Sequence, residues 1–305
     1  MRNGRKWLIA FCLLGSTPLC CALVAKAQLL NVLFPEGVPG YGAEPGVTVR
    51  SRVRPEFEPL GIHLDPVMIR PLLGLSGGYD NNIFGGPSHR GSWEVAVRPS
   101  VLVSTETSGG SAGLYLSADN FHYLGEPSQN RTDGAAFFGA TFAIGRDKLT
   151  LGGGYLSGHE DRTALDALPS DRPVAFKLEN LRASYAAGFG RFTVTPSIEL
   201  NRWRFENTTI LGVPVSQTAR DRTTTQAAMT LRYNWMSGRD LLWVNRVATT
   251  HYDDPAAGVP SNNSTSYQTL LGLDYDDDTV WRYRLLGGCN IARRPRRRSH
   301  PRPPA

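Results

Sequence analysis

The connections between the candidate strands of this chain alternate between long and short. Strands are recognised by strict alternation of apolar and polar residues. The long connections are 78–91, 123–132, 158–177, 206–221 and 253–264. The short connections are 105–110, 145–146, 190–191, 236–239 and 276–279. A soluble β-sandwich has no reason to keep every second connection short, whereas an outer-membrane barrel has tight turns on one side and long loops on the other. The spacing therefore predicts an all-β, antiparallel up-and-down transmembrane β-barrel.

Eleven candidate strands lie between residues 67 and 288, and several of them show a clear period of two. In a transmembrane barrel the apolar face of each strand meets lipid and the polar face lines the lumen. The polar faces carry charges of both signs. The charged residues predicted to line the lumen are Glu94, Arg98, Asp119, Arg182, Glu199 and Arg232.

Aromatic residues cluster near the ends of the predicted strands. They are Trp93, Phe121, Tyr123, Tyr155, Trp203, Tyr233, Trp235, Trp243, Tyr252, Tyr267, Tyr275 and Trp281. Indole and phenol rings are apolar in body and polar at the tip, which favours the membrane–water interface. The clustering therefore favours interfacial girdles, although strand-forming propensity alone also enriches aromatics here.

The N-terminal residues 1–27 have the composition of a secretory signal peptide. Arg2, Arg5 and Lys6 precede an apolar stretch, and Ala25-Lys26-Ala27 offers a cleavage site before residue 28. Leu19-Cys20 is a weaker match to a lipoprotein signal. The mature chain has no further apolar run near the ~20 residues that a membrane helix requires. We therefore predict export to the outer membrane of a Gram-negative bacterium, with a Pro/Gly-rich periplasmic segment at 28–66.

The basic net charge of +6 is concentrated at the two ends of the chain. Ten of the 33 Lys and Arg residues lie in 1–27 and 289–305, which contain no Asp or Glu, so 28–288 has a net charge of −4. This distribution argues against a nucleic-acid partner. Of the four cysteines only Cys289 follows the predicted signal peptide, which excludes a disulfide within one mature chain.

Residues 289–305 hold six Arg and four Pro without alternation, which predicts a disordered basic tail. Two interpretations are open: a polybasic tail attracted to phosphate or anionic lipid, and out-of-frame translation beginning near codon 288. The strand count favours the second. An eleventh strand would end outside the cell with an unpaired edge, whereas bacterial single-chain barrels have even strand numbers. We therefore expect a truncated or frameshifted chain whose complete form has twelve or more strands.

Two motifs resemble the family named putative β-barrel porin 2, a group of Gram-negative outer-membrane proteins. Tyr79-Asp80-Asn81-Asn82-Ile83-Phe84 resembles the end of that family's first strand and its first loop, and Arg98-Pro99-Ser100-Val101 resembles its second strand. The resemblance is sharp over 61–104 and only pattern-like to about 288. It implies an outer-membrane barrel, sometimes linked to exopolysaccharide genes. Such barrels end in a strand with a terminal aromatic that the assembly machinery recognises, whereas this chain ends in Pro303-Pro304-Ala305.

The sequence contains few candidates for catalytic or metal-binding chemistry. Gly74-Leu75-Ser76-Gly77-Gly78 fits the G-x-S-x-G pattern of a nucleophile elbow, but it closes a strand and leads into a loop rather than a helix. Asp274, Asp276, Asp277 and Asp278 form an acidic group that we interpret as a solvated turn, and we interpret Asp80, Asn81 and Asn82 as a turn. Glu160, Asp161 and Arg162 open the longest loop, either as an inward constriction or as solvated residues. We predict no catalytic residues, metal site or cofactor.

Three functional hypotheses follow. The first is a porin-like passive channel, whose lumen of mixed charge suits small polar or saccharide solutes. The second is a non-conducting structural or accessory component linked to exopolysaccharide export. The third, an outer-membrane esterase, requires Ser76 to meet a histidine. The predicted partners are outer-membrane lipid, the outer-membrane assembly machinery, and polysaccharide or small polar solutes.

Overall fold

A computed structural model describes residues 37–41, 60–86, 89–162, 168–254, 262–276 and 282–293. The predicted signal peptide, residues 294–305 of the predicted tail, Trp281, Asp277 and Asp278 lie outside these ranges. The strands are β1 (Ile62–Leu64), β2 (Val67–Asp80), β3 (Ser92–Thr107), β4 (Gly110–Tyr123), β5 (Arg131–Ile144), β6 (Asp147–His159), β7 (Ala175–Phe189), β8 (Phe192–Phe205), β9 (Thr208–Ile210), β10 (Val213–Val215), β11 (Arg222–Met236), β12 (Arg239–Tyr252), β13 (Ser264–Asp276) and β14 (Arg282–Arg293). Within the described residues, no helix is long and apolar enough to cross a membrane.

The strands form one antiparallel meander in the order β1-β2-β3-β4-β5-β6-β7-β8-β11-β12-β13-β14. β9 and β10 form a separate hairpin in the connection between β8 and β11. Eleven of these strands are long, which confirms the predicted up-and-down all-β fold. In the described residues the sheet is not closed, because β14 has no partner on its free side and β1 and β2 form the opposite edge.

Short and long connections alternate along the sheet as predicted. The short turns lie at 108–109, 145–146, 190–191 and 237–238, and we call that end of the sheet the turn end. Gly145 and Gly190 adopt φ values of 63° and 62°, a backbone conformation that tight turns need and side chains disfavour. The long connections at 81–91, 124–130, 160–174, 206–221 and 253–263 join strand ends at the opposite end of the sheet, which we call the loop end.

The strand boundaries differ from the sequence prediction at the C-terminal side. β14 runs to Arg293, so residues 289–293, which we assigned to the disordered tail, belong to a strand. They pair with 265–269 of β13. Their own sequence shows no alternation, and the backbone pairing with β13 places them in the sheet.

Two prolines inside strands interrupt the ladder without shifting it. Next to Pro99 the pairing of β3 with β4 skips from Val97 to Ser100, and next to Pro196 the pairing of β8 with β7 skips from Ile198–Ser197 to Val194. The register is identical on both sides of each gap. A missing N–H therefore costs a local pair here and does not create a bulge.

Register divides the sheet into two faces with different chemistry. Directly paired residues of neighbouring strands lie on the same face, and we call the face that contacts residues 37–41 the inner face. Nearly all exposed large apolar side chains of the long strands lie on the other, outer face, including Leu75, Phe138, Leu181, Ile198 and Leu271. The exceptions Leu72 and Leu286 lie on the edge strands β2 and β14. An exposed apolar face of this extent suits lipid.

Candidate channel lumen

The six charged residues predicted to line a lumen all fall on the inner face by register. Arg182 on β7 pairs directly with Glu199 on β8, and their side chains form an ion pair of 3.2 Å. Arg232 lies on β11, where it pairs in register with Thr193 of β8, and it belongs to a different cluster. Their pore-lining role stays a prediction, but the sheet gives them a common face.

The other three predicted lining residues lie towards the loop end of β3 and β4. The Arg98 guanidinium lies 5.2 Å from the centroid of the Phe121 ring. Glu94 pairs in register with Tyr123, and Asp119 lies on the same face of β4 as both aromatic residues.

Four of the aromatics predicted for interfacial girdles face inward instead. They are Phe121, Tyr123, Trp203 and Tyr252. Arginines lie over some of these rings, with Arg131 4.3 Å from the Phe121 centroid and Arg222 5.3 Å from the Trp203 centroid. The girdle prediction is wrong for these four because position near a strand end does not decide which face a side chain takes. Counting odd and even positions along each strand would have shown that these four aromatic residues share a face with the charged residues.

Residues 37–41 form a turn that is seated on the inner face, and we call it the 37–41 turn. The Tyr41 backbone N–H donates to the Val38 carbonyl oxygen at 3.1 Å, and Gly37 and Gly40 take φ values of 87° and 82°. Val38 and Tyr41 are only 2% and 4% exposed. The composition of 28–66 predicted a Pro/Gly-rich segment but gave no indication that part of it contacts the sheet.

A row of three paired glycines receives this turn. Gly113, Gly139 and Gly152 lie on β4, β5 and β6 and pair directly with one another across the sheet. A Cβ on Gly139 would overlap the Pro39 carbonyl, and one on Gly152 would come within 2.9 Å of the Tyr41 ring. The absence of side chains along this row is what lets the backbone of the turn approach the wall.

Polar side chains of β7 contact the turn at Gly40 and Tyr41. The Tyr41 hydroxyl donates to Asn180 Oδ1 at 2.8 Å, and Arg182 Nη1 donates to the Gly40 carbonyl oxygen at 2.8 Å. The Arg182 guanidinium also lies 4.3 Å from the centroid of the Tyr41 ring. Asn180 in turn donates to Glu199 and to another asparagine on β8, so the contacts continue along the inner face.

A cavity of about 1000 Å³ lies beside the turn, towards the turn end of the sheet. Residues 37–40 form one side of it, and the strands β2–β7 form the other. Its charged lining residues are Asp65, Arg70, Glu106 and Lys148. Both signs of charge are present, so the cavity has no strong preference for anions or cations on composition alone.

A cluster of ion pairs covers the inner face of β11–β14 at the turn end. Asp274 accepts from Arg284 at 2.5 Å and lies 3.6 Å from Arg232, which also pairs with Asp240 at 3.2 Å. Asn234 donates to Asp240 at 2.8 Å. Asp274 therefore belongs to β13 and its ion pairs, and the solvated turn we predicted for it is wrong.

Contacts between the long connections tie the loop end together. Arg90 pairs with Glu126 at 2.5 Å, and the Gln129 side chain donates to the Asp171 carbonyl oxygen at 2.9 Å. Glu160 forms an ion pair with Arg220. Arg162 lies 5.1 Å from the Phe84 ring centroid and donates to the Ser170 carbonyl oxygen. Glu160 and Arg162 therefore contact other residues of the loop end, and the inward constriction stays a prediction.

One carboxylate anchors the β9–β10 hairpin to the 160–174 connection. Asp171 accepts from the backbone N–H groups of Leu211 and Gly212, each at 2.9 Å. Both hairpin residues have positive φ, a backbone conformation that is strained for Leu211. The hydrogen bonds to Asp171 help to hold the turn in this conformation. Several hydrogen bonds hold the pKa of Asp171 below its ordinary value, and the bond from the Gly212 backbone N–H contributes most.

The sequence of residues 54–278 matches the family described as Putative beta-barrel porin 2. This match covers most of the chain and the whole of β2–β13. The chain belongs to this β-barrel porin family. No curated protein and no solved structure matches it. Membership implies an outer-membrane location, and the family name suggests a channel rather than an enzyme.

The family motif at 79–84 forms the end of β2 and the start of the first loop. Tyr79 lies on the outer face with its ring edge against Trp93, at a centroid distance of 5.6 Å. Asp80 Oδ1 accepts from the Asn82 backbone N–H at 2.8 Å, the hydrogen bond of an Asx turn, as expected from the residue types. Ile83 is buried and Phe84 receives Arg162, so the motif positions this loop against the third one.

The candidate nucleophile Ser76 does not sit in the geometry that a nucleophile elbow requires. It lies on the inner face in the interior of β2, with strand on both sides. The three later histidines have other partners: His122 contacts Asn130, His159 contacts Asp133 and His251 contacts Asn263. Within the described part of the chain, no group of three or more His, Cys, Asp or Glu residues could hold a metal ion.

Proposed function

We propose that this member of the porin family is a passive channel of the outer membrane for small polar or saccharide solutes. The observation that carries the proposal is the contrast between the two faces of one sheet. Leu75, Phe138 and Leu271 are exposed on the outer face, while charged pairs such as Arg182–Glu199 occupy the inner face. A barrel wall of this kind encloses water, and its mixed charge supports neutral polar solutes over one class of ion.

The proposal includes export and assembly. Residues 1–27 act as a cleaved signal peptide, so the N-terminus of the mature protein is residue 28, which mass spectrometry of the protein purified from outer membranes tests directly. The partners are outer-membrane lipid and the assembly machinery that inserts barrels. A mature protein that retains residues 1–27 would overturn this part of the proposal.

Liposome swelling tests the channel. The full chain is reconstituted into liposomes that are diluted into isotonic solutions of neutral sugars of increasing mass. We expect swelling that slows as the sugar becomes larger, because a water-filled lumen sieves solutes by size. Liposomes with heat-unfolded protein are the control. No swelling with any sugar, from protein whose heat-modifiable gel mobility shows a folded barrel, would contradict the channel.

A non-conducting accessory role, linked to exopolysaccharide export, is the second candidate. Two observations favour it: the 37–41 turn occupies the inner face of β4–β7, and Asp274 with its arginine partners covers that of β13–β14. A lumen that is filled from both of these sides leaves little space for solutes to pass. The same liposome assay separates the two candidates, since an accessory barrel leaves swelling at the level of the unfolded control.

A further inference from the structure

We infer that the inner wall of β4–β7 is a binding site for this chain's own 37–41 turn, which acts as a displaceable plug over that part of the lumen. The inference rests on the proposed channel for its effect on conductance, but the binding site itself stands on contacts alone. The occupant is a segment of this chain that precedes β1 and is joined to the barrel wall through residues 42–59.

The shape of the site argues that it is built for this occupant. Glycine in the middle of a strand costs stability, because it loses more backbone entropy than other residues and packs no side chain. Three of them nevertheless stand directly opposite one another, as Gly113, Gly139 and Gly152 on three neighbouring strands. Even a methyl group at Gly139 would occupy the position of the Pro39 carbonyl. The row is therefore complementary to backbone rather than to side chains.

The residues of the site contact the last two residues of the turn, Gly40 and Tyr41. β5 and β7 present one apolar and one polar contact to Tyr41. Its ring packs edge-on against Phe137 at a centroid distance of 5.2 Å, and its hydroxyl donates to Asn180. Phe137 and Asn180 are each 1% exposed, so both are covered from the lumen side. Arg182 closes the site by donating to the Gly40 carbonyl while its guanidinium lies over the Tyr41 ring.

The contact is specific but small, which makes release possible. Five residues take part, and the two buried side chains are Val38 and Tyr41. Segments held by so few buried groups open at lower free energy than the sheet that carries them. The turn also covers polar wall that would otherwise face the lumen, since the Arg182–Glu199 pair lies directly beside it. Release of the turn from the site therefore widens the lumen and exposes a charged surface.

Thiol labelling tests whether the turn is seated. In the full chain with Cys12, Cys20, Cys21 and Cys289 replaced by Ala, a single cysteine is introduced as Val38→Cys and its reaction with a water-soluble maleimide is timed. Ser108→Cys, in the exposed turn between β3 and β4, is the reference. We expect Val38→Cys to react about 10- to 100-fold more slowly, because its thiol is covered unless the turn opens.

Displacing variants are then added to Val38→Cys. Gly139→Ala fills the place of the Pro39 carbonyl, and Tyr41→Ala removes the anchor without changing any residue of the wall. Both are expected to raise the labelling rate towards that of Ser108→Cys. The matched control is Gly78→Ala, an inner-face glycine of β2 with nothing within 4 Å of an added Cβ, and it should leave the rate unchanged. Heat-modifiable mobility verifies that each variant is folded.

Single-channel conductance of the same variants tests the plug. Gly139→Ala and Tyr41→Ala are expected to raise conductance by roughly twofold over wild type and Gly78→Ala, since a wider lumen carries more ions. Labelling of Val38→Cys as fast as Ser108→Cys overturns the binding site. Slow labelling that the displacing variants accelerate, with no change in conductance, overturns the plug. If neither the wild type nor any variant conducts, the channel itself is overturned. The labelling rates still decide whether the binding site exists.

Discussion

Two parts of the inner wall are filled in different ways. On β4–β7 the wall is cut down to glycine at Gly113, Gly139 and Gly152, and a separate piece of chain fills the space. On β11–β14 no such row exists among the described residues, and long side chains rising from the wall fill the space themselves, with Asp274 between two arginines. The β4–β7 wall thus binds another segment of the same chain, and the β11–β14 wall is covered by its own side chains.

Burial follows this division. Phe137 and Asn180, which contact the turn, are each 1% exposed, whereas Leu242, at 4%, is the buried apolar residue of β11–β14 among those the structure describes. A covering segment excludes solvent from the wall beneath it, but charged side chains shield only what lies between them. The difference predicts that the first part responds to changes in the 37–41 turn and the second does not.

The largest expected effect lies on the outer face, where both parts meet the same lipid. Leu181→Arg on β7 and Leu271→Arg on β13 should each destabilise the barrel by about 2–4 kcal/mol, because each places a charge near the middle of the hydrocarbon. Equal losses would show that the two parts differ only inside. Urea titration of the protein in vesicles measures the change.

The control for this pair is Gln268→Arg, which adds the same charge to the inner face of β13. It should cost less than Leu271→Arg, since the added guanidinium faces the inner side and loses only the hydrogen bond from Arg246, whereas Leu271→Arg places the same charge in hydrocarbon. If Gln268→Arg is as costly as Leu271→Arg, or the two outer-face variants are both tolerated, the assignment of inner and outer faces is wrong.

A smaller effect is expected from the ion pairs of β11–β14. Asp274→Ala removes the acceptor shared by Arg232 and Arg284, and should lower the free energy of unfolding by about 1.5–3 kcal/mol, the range for a hydrogen bond to a charged group. Arg232 keeps Asp240 as its other partner in this variant. Asp274→Asn keeps an acceptor oxygen and should lose less. Maleimide labelling of Val38→Cys should not change in either variant. Faster labelling in Asp274→Ala would break the claim that the two parts are independent.

The converse variant acts on the first part. Arg182→Gln removes the donor to the Gly40 carbonyl and the cation over Tyr41, contacts worth together about 1–2 kcal/mol. We expect the corresponding rise in the labelling rate of Val38→Cys, about 5- to 30-fold, with the thermal midpoint of the barrel little changed. Arg232→Gln is the matched charge change on the other part. Equal acceleration by both would show that charge, rather than contact, holds the turn.

The smallest effect concerns the loop end and depends on pH. The pKa of Asp171 is lowered in the folded protein, so its carboxylate stabilises the hairpin fully above the ordinary pKa, and this is lost as pH falls through the lowered value. Hydrogen exchange at Leu211 and Gly212, corrected for intrinsic rates, should show protection that declines below about pH 4. Asp171→Asn should weaken protection at neutral pH and remove its pH dependence. Unchanged protection in the variant would contradict this anchor.

The strands and their faces could be predicted from sequence because alternation is a local signal. The positions of Arg182 and Glu199 on one face follow from a period of two, and the alternation of short and long connections gave the meander. The glycine row could not be predicted, since Gly113, Gly139 and Gly152 become neighbours only when the register of β4–β6 is known. The hydrogen bond from Tyr41 to Asn180 spans 139 residues, and no local pattern reports a contact of that range.

Single-channel recording in a planar bilayer is the most direct test of the central claim, that this sheet is the wall of a channel partly closed by its own N-terminal segment. We expect discrete conductance steps from the full chain, and larger steps from Gly139→Ala than from Gly78→Ala. Silence from both variants, with heat-modifiable mobility showing that both are folded, would contradict the channel and leave a structural barrel.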